Sequence, residues 1–473
     1  MQGVQKTLDG FLLGDRAEPE IPAVVQSMDV VDSRPMEGEY NLIGRIASDE
    51  NLKLALERVV ENKGAPGIDG MTVYELVPWM DQNREELKQQ LILGTYRPTP
   101  VRRKEIPKPD GGVRNLGVPT VVDRLVQQAM AQIMVPIYEP KFSEHSYGFR
   151  PKRSAHDAIT EARRYYDKGY KQVVDLDLEK FFDKLNQDFL MNIVRETIKD
   201  RAVIDLIKRF LKAGVIMPDG LKVRSDEGAP QGGPLSPLLS NIYLDKLDKE
   251  LERRGHHYIR YADDVNIYLK SRRAAERVME SITRFIEDEL RLKVNREKSA
   301  VGSPAVLKFL GFKLYPKKGG VGVTIHPKSV KRFRKKVIEI TKRNRGVKLE
   351  MIIEELRRYE AGWLNYYGQI TSSNTLKYLD KFVRRRIRLY VFKQWKKPDT
   401  RFKKLKAMCP KSMILPDGRI PLDWIKEAHA VALMNLWVAS GQPVMNTAFS
   451  MSWMREHNVF SLEEQWKSNR LVS

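Results

Sequence analysis

Short apolar strands that run directly into clustered acids constrain this chain more than any other feature. Val173-Val174-Asp175-Leu176-Asp177-Leu178-Glu179-Lys180-Phe181-Phe182-Asp183 leaves a short, β-branched, buried strand at Lys171–Leu176 and ends in carboxylates. Tyr261-Ala262-Asp263-Asp264 sits at a hairpin turn between two apolar strands, Tyr258–Tyr261 and Val265–Leu269. Acids at strand ends do not assist folding, and adjacent aspartates without a cationic neighbour repel each other. A divalent cation neutralises that repulsion. Hard oxygen ligands suit Mg²⁺, and two such ions about 3.5–4 Å apart activate an attacking hydroxyl and stabilise a leaving oxygen. Taken alone, an Asp-Asp pair is equally well a plain polar turn.

The surrounding pattern is α+β. Ser48–Glu50 caps a helix over Asn51–Asn62, with Leu52, Leu56, Val59 and Val60 on one face. The breaker loop Asn62–Gly70 follows, then an amphipathic helix over about Val73–Leu93. Arg103–Val118 alternates as a hairpin around Pro109-Asp110-Gly111-Gly112. Helices are predicted over Asp123–Pro136, Ala155–Lys168, Pro237–Arg254 and Arg273–Leu290, and a further hairpin around Pro218-Asp219-Gly220. Helices interleaved with short antiparallel strands define an α+β unit over 41–316.

Charge divides the rest. The 473 residues carry a formal net charge of +22, which calls for a polyanionic partner. Between 317 and 406 stand 27 Lys/Arg against 7 Asp/Glu, with helical periodicity in Val330, Phe333, Val337 and Ile340 and in Leu356, Tyr359, Trp363 and Tyr367. That block folds into helices with a cationic face suited to nucleic-acid backbone. Residues 1–40 are acidic, sparsely apolar and proline-punctuated, and read as a disordered extension. The lone Cys409, the lack of a long apolar run and a Met1–Gly10 stretch without a secretory pattern predict a soluble cytoplasmic protein with no membrane partner, nucleoid-associated in a prokaryote.

Several motifs occur in an order that resembles group II intron reverse transcriptase/maturases, most similar to bacterial class C members that lack an endonuclease. They are Ser146-Tyr147-Gly148-Phe149-Arg150-Pro151, Ala229-Pro230-Gln231-Gly232-Gly233-Pro234-Leu235-Ser236-Pro237, Tyr261-Ala262-Asp263-Asp264 and Phe309-Leu310-Gly311-Phe312. Ile106–Arg114 and Gly362–Tyr367 extend the match. The resemblance implies a right-hand polymerase: fingers and palm with an antiparallel sheet over 41–316, a helical thumb or maturase domain over 317–398, and a C-terminal DNA-binding segment over 399–473.

By that resemblance, Asp177, Asp263 and Asp264 are catalytic and hold two Mg²⁺ ions, with Asp175 and Asp183 as supporting acids. Lys108, Arg114, Phe182, Gln231 and Lys298 contact the nucleotide, Phe182 as a steric gate against the ribose 2′-OH. Lys63 and Gly64 of the Asn62–Gly70 loop, and Phe309, Leu310 and Gly311, touch template and primer. Lys331, Arg332, Lys335, Arg384, Arg385 and Arg386 bind RNA, a surface that Arg102–Lys104 can join. The implied function is RNA-directed DNA synthesis with binding of the parent intron RNA, assistance to splicing, and target-primed reverse transcription in retrohoming. Partners are then the group II intron RNA, an RNA template with DNA primer, target DNA and dNTPs. A domesticated reverse transcriptase of repair or defence, and a non-catalytic splicing cofactor, are the alternatives. Gln5–Leu12 resembles a sliding-clamp-binding peptide, although a solubilising tail explains it as readily.

Overall fold

A computed structural model describes residues 41–107, 113–223 and 227–472. These divide into two compact units, 41–307 and 308–472.

In the first unit, strands β1 (Val101–Pro107) and β2 (Val113–Val118) form the expected hairpin, with Ile106 opposite Arg114. The strand β3 (Gln172–Leu176) follows the helix Ala155–Asp167, which Ser154 and Asp157 start with a reciprocal capping box. Two-residue strands β4 (Val215–Ile216) and β5 (Lys222–Val223) flank the Pro218–Gly220 turn and extend the β1–β2 sheet in the order β2-β1-β4-β5. Strands β6 (His257–Tyr261), β7 (Asp264–Leu269) and β8 (Ala300–Gly302) complete a second, antiparallel sheet ordered β6-β7-β3-β8.

That second sheet is the platform of the site. Val174, Leu176, Val265 and Ile267 pack in one core with Leu239, Tyr243 and Leu247 of the helix Ser236–Arg253 and with Ile282 and Ile286 of Arg272–Asp288. Full burial of each such aliphatic side chain contributes about 1.5–3 kcal/mol, so strand register is strongly specified. The helices Gln187–Thr197 and Arg201–Lys212 lie outside the expected elements, although Val203, Leu206, Ile207 and Phe210 carry a plain helical period.

The second unit begins before residue 317 because the hairpin of β9 (Phe312–Lys317) and β10 (Gly320–Ile325) belongs to it. The Gly311 carbonyl accepts from His326 N–H (2.9 Å) and Ser329 Oγ (3.1 Å), and Thr371 Oγ1 accepts from Val323 N–H (3.1 Å). Helices Pro327–Ile340 and Leu349–Tyr367 pack through Phe333, Trp363 and Tyr367, and Asn374–Gln394 meets the first of them where Arg334 lies over Phe382 (4.7 Å). No break separates 398 from 399 in packing. Asp380 caps the helix Leu462–Val472 through Leu462 N–H (2.9 Å), Glu463 N–H (3.1 Å) and Ser461 Oγ (2.9 Å), and Trp466 Nε1 donates to the Gly368 carbonyl (2.7 Å).

Candidate active site

Asp177 follows the last residue of β3, whose Val173, Val174 and Leu176 are fully buried. Its backbone is pinned on both sides: the N–H donates to Ser299 Oγ (3.0 Å), and the carbonyl accepts from Asn295 N–H (2.8 Å). Across the sheet, Tyr261 pairs with Asp264, leaving Ala262 and Asp263 as a two-residue turn. Ala262 has φ 56°, a left-handed conformation that hairpins usually assign to glycine. The last β3–β7 pair is Leu176 with Val265; one residue further stand Asp177 and Asp264, and Asp263 is next in the turn.

Asp177 and Asp263 interact. The surrounding protein dehydrates the Asp263 carboxyl and raises it above the ordinary carboxylate range, and the Asp177 charge raises it further. Arg114 and Arg260 oppose that rise. The Asp263 residue itself is exposed at the turn. Asp175 points elsewhere, accepting from Asn266 Nδ2 (2.8 Å) within the sheet, and Asp183 is exposed on the short helix Phe181–Lys184.

Among the described residues no three His, Cys, Asp or Glu side chains converge to hold an ion unaided. The Asp177–Asp263 pair nonetheless fits Mg²⁺, which is commonly bound by one or two carboxylates and completes its octahedron with water and substrate phosphates. Two hard oxygen donors that repel each other, with Arg114 and Arg260 offsetting the repulsion only in part, are the donor set such an ion neutralises.

Phe181 is buried, whereas Phe182 is half-buried, edge-on to Phe181 at 5.1 Å between ring centres. Its carbonyl accepts from Ala229 N–H (2.7 Å), and a side chain at Gly228 would strike that carbonyl. Two residues on, Gln231 accepts from Gly117 N–H (2.8 Å) through its carbonyl; Gly232, at φ 130°, has no room for a Cβ against Gly117 O. The Gly-rich loop is therefore tied both to the Phe182 backbone and to β2, which carries Arg114. These glycines serve close backbone approach. Lys298 is exposed, three residues past Asn295, which holds Asp177. Lys108 and the Gln5–Leu12 stretch lie outside the described residues.

The Asn62–Gly70 loop is defined rather than slack. Arg124 donates to the Ala65 carbonyl (2.8 Å) and Arg102 to the Pro66 carbonyl (2.7 Å), and the Arg124 guanidinium lies against Gly64. Lys63, at φ 47°, is exposed at the start of the loop. Arg102 thus has an internal use.

In the second unit, Phe309 and Phe312 exchange both backbone hydrogen bonds (3.0 and 2.9 Å) around Leu310 and Gly311, at φ 48° and 82°. Both central residues are left-handed, and the Leu310 carbonyl accepts from Tyr366 Oη (2.9 Å). Lys331 and Lys335 are exposed one turn apart on Pro327–Ile340, with Arg332 half-buried beside them. The arginine triplet separates into different uses. Arg385 stacks on Trp437 (3.9 Å) and donates to its carbonyl (3.1 Å), and Arg386 donates to Thr341 Oγ1 (2.8 Å) and to the Thr341 carbonyl (3.0 Å). Arg384 lies near Asp380, whose carboxylate it stabilises.

Sequence reasoning passed over Ser299, Asn295 and Asn266, whose short polar side chains give no signal. It also passed over Arg260 and Asp248, both fully buried and bonded to each other. Their signal was present: a lone arginine inside an apolar strand, and an aspartate on the leucine face of a helix.

A carboxylate pair at adjoining antiparallel strand ends, within electrostatic reach of Arg114 on the β1–β2 hairpin, is the arrangement of a template-directed polymerase of the reverse transcriptase class. Residues 106–314 match the family model "Reverse transcriptase (RNA-dependent DNA polymerase)", and residues 330–408 match "Group II intron, maturase-specific domain". Protein YkfC of Escherichia coli K12 is 35% identical over 324 residues, covering 59% of this chain and 84% of that protein. The group II intron-encoded protein LtrA of Lactococcus lactis is 30% identical over 333 residues, 56% of this chain and 55% of LtrA. Nuclear intron maturase 2 of Arabidopsis thaliana is 31% identical over 177 residues, 29% of this chain and 24% of that protein. The chain belongs to the group II intron-encoded reverse transcriptase/maturase family. It spans about half the length of LtrA.

Proposed function

We propose that this protein copies RNA into DNA from a DNA primer, binds its parent intron RNA, assists that RNA's splicing and carries out target-primed synthesis in retrohoming. The reading rests above all on the strand register that brings Asp177, Asp263 and Asp264 together at the end of one sheet. Two Mg²⁺ ions held by Asp177 and Asp263, with Asp264 beside them, would lower the energy of the attacking 3′-hydroxylate and of the leaving pyrophosphate. The bond that forms joins the primer 3′-oxygen to the α-phosphorus; the bond that breaks releases pyrophosphate.

The chain's own residues do the remaining work. Arg114, whose charge already reaches Asp263, offsets the negative charge of the triphosphate, and Lys108 acts with it. Gln231 and the backbone beside it hold the base and sugar. Phe182 fills the space a 2′-hydroxyl would need. Lys298 is the candidate proton donor to the leaving group. Lys331, Arg332 and Lys335 supply phosphate contacts to structured RNA. The protein works in the cytoplasm, at the nucleoid of a prokaryote.

The deciding experiment is Asp263→Asn. Mg²⁺-dependent primer extension on RNA should fall below detection while template–primer and intron affinities stay within about twofold, since phosphate contacts dominate binding. Extension at the wild-type rate would refute the assignment.

A further inference from the structure

The turn that carries Asp263 is gripped from beneath. Arg260, three residues earlier on β6, is wholly buried. Its Nη1 donates to the Ala262 carbonyl (3.1 Å) and to Asn241 Oδ1 (2.9 Å). Its Nε and Nη2 engage both oxygens of Asp248 (2.8 and 2.6 Å). Asn241 in turn donates through Nδ2 to the Gly148 carbonyl (2.9 Å). Gly148 lies against the Ala262 nitrogen so closely that no side chain fits between them. The backbone on either side is tied as well: Tyr147 N–H donates to the Arg260 carbonyl (2.8 Å), and Arg260 N–H donates to the His145 carbonyl (2.9 Å).

We propose that Arg260, Asp248 and Asn241, with the Ser146–Phe149 segment, form a positioning unit that locks the Ala262–Asp263 turn and so fixes the Asp263 carboxylate for metal binding before substrate arrives. The proposal rests on the polymerase reading given above.

Stability does not require this arrangement. A buried arginine–aspartate pair carries dehydration costs that often equal its attraction, and a well-packed apolar pair of similar volume is commonly as stable. An apolar pair cannot donate to the Ala262 carbonyl. Ala262 occupies a left-handed conformation that a side chain disfavours, so without that donor and with Gly148 alone beneath, the turn can relax towards ordinary backbone angles. Asp263 is the next residue. The unit also explains the Ser146–Pro151 motif, which the nucleotide contacts leave unused. Arg150 holds that segment rigid by donating to the Ser146 carbonyl (2.9 Å) and pairing with Glu139 (2.8 Å).

The test compares wild type with Asp248→Leu/Arg260→Met and with Asn241→Ala. Four quantities are read: melting temperature, template–primer Kd, kcat and KM for dNTP, and Mn²⁺ affinity of the enzyme–template–primer complex by electron paramagnetic resonance. The paired variant should melt within a few degrees of wild type and bind template–primer normally. Its kcat should fall about 10–100-fold with KM little changed, and Mn²⁺ affinity should weaken by a similar factor. A paired variant with wild-type kcat and Mn²⁺ affinity would overturn the proposal. If that variant fails to fold, Asn241→Ala decides: the same loss of kcat and Mn²⁺ affinity supports the unit, and wild-type values overturn it. A wild-type protein that extends no primer would refute the polymerase reading instead, and Mn²⁺ affinity would then decide the positioning role on its own.

Discussion

Glu360 sits in the middle of the helix Leu349–Tyr367 with no exposure to solvent, and neither carboxyl oxygen has a hydrogen-bond partner. Burial drives its carboxyl well above the ordinary 4.5, and the Asp380 carboxylate pushes it further in the same direction. The folded unit therefore retains a proton that the unfolded chain releases once pH exceeds the ordinary value. Each pH unit above that point favours unfolding by about 1.4 kcal/mol, until the folded group itself ionises. Glu360→Gln mimics the protonated acid and removes the titration. It should differ little from wild type at pH 5 and then gain on it by up to about 1.4 kcal/mol per pH unit for as long as the folded Glu360 keeps its proton. Urea unfolding followed by tryptophan fluorescence reads the correct unit, because of the seven tryptophans only Trp79 lies outside residues 308–473. Parallel pH profiles for the two proteins, or a variant less stable at pH 8, would refute the reasoning.

Three further outcomes are expected. Phe182→Ala should admit ribonucleotides, because the half-buried ring is removed while Phe181 keeps the core filled; single-turnover incorporation of rNTP against dNTP measures it. Arg386→Ala should lower second-unit stability by about 2 kcal/mol, because Thr341 loses its donor, and leave the salt dependence of RNA binding almost unaltered. Arg384→Ala should flatten the slope of log K against log salt by about one and lower the urea midpoint slightly, because Asp380 loses the cation beside it.

Much of the site was legible because it depends on local pattern. The apolar runs Val173–Leu176, Tyr258–Tyr261 and Val265–Leu269 have one stable use as short buried strands, and their registers then bring Asp177 and Asp264 to adjacent positions. Helix limits were close for the same reason: Ser48 and Ser154 cap where capping residues stand before apolar periods. The grip on the turn was illegible because it is long-range. Asn241, Asp248 and Arg260 meet Gly148 only after a helix and two strands have packed, and nothing in the spacing of 148, 241, 248 and 260 announces it. Hairpin β9–β10 was missed as part of the second unit because its tie to Thr371 is likewise tertiary.

Charge counting has a related limit, and the second unit shows where it lies. The block 317–406 holds nearly all of the net charge, yet its arginines are largely occupied within the fold. Arg345 donates to the Ile340 carbonyl (2.7 Å), Arg388 to that of Ser440 (2.9 Å) and Arg401 to that of Trp395 (3.0 Å). Arg334 stacks on Phe382 at 4.7 Å. Planar, weakly hydrated guanidinium groups suit such half-buried carbonyl and aromatic contacts, whereas the strongly hydrated ammonium of lysine stays at the surface. Lys328, Lys331, Lys335, Lys381, Lys393, Lys403 and Lys404 are all exposed. The salt sensitivity of RNA binding should therefore follow the lysines: charge-neutral glutamine at Lys331 and Lys335 should flatten the salt slope by about two, one for each phosphate no longer neutralised, at unchanged stability. A slope that responds to Arg385 and Arg386 instead, with no fall in urea midpoint, would reverse that division of labour between the two cations.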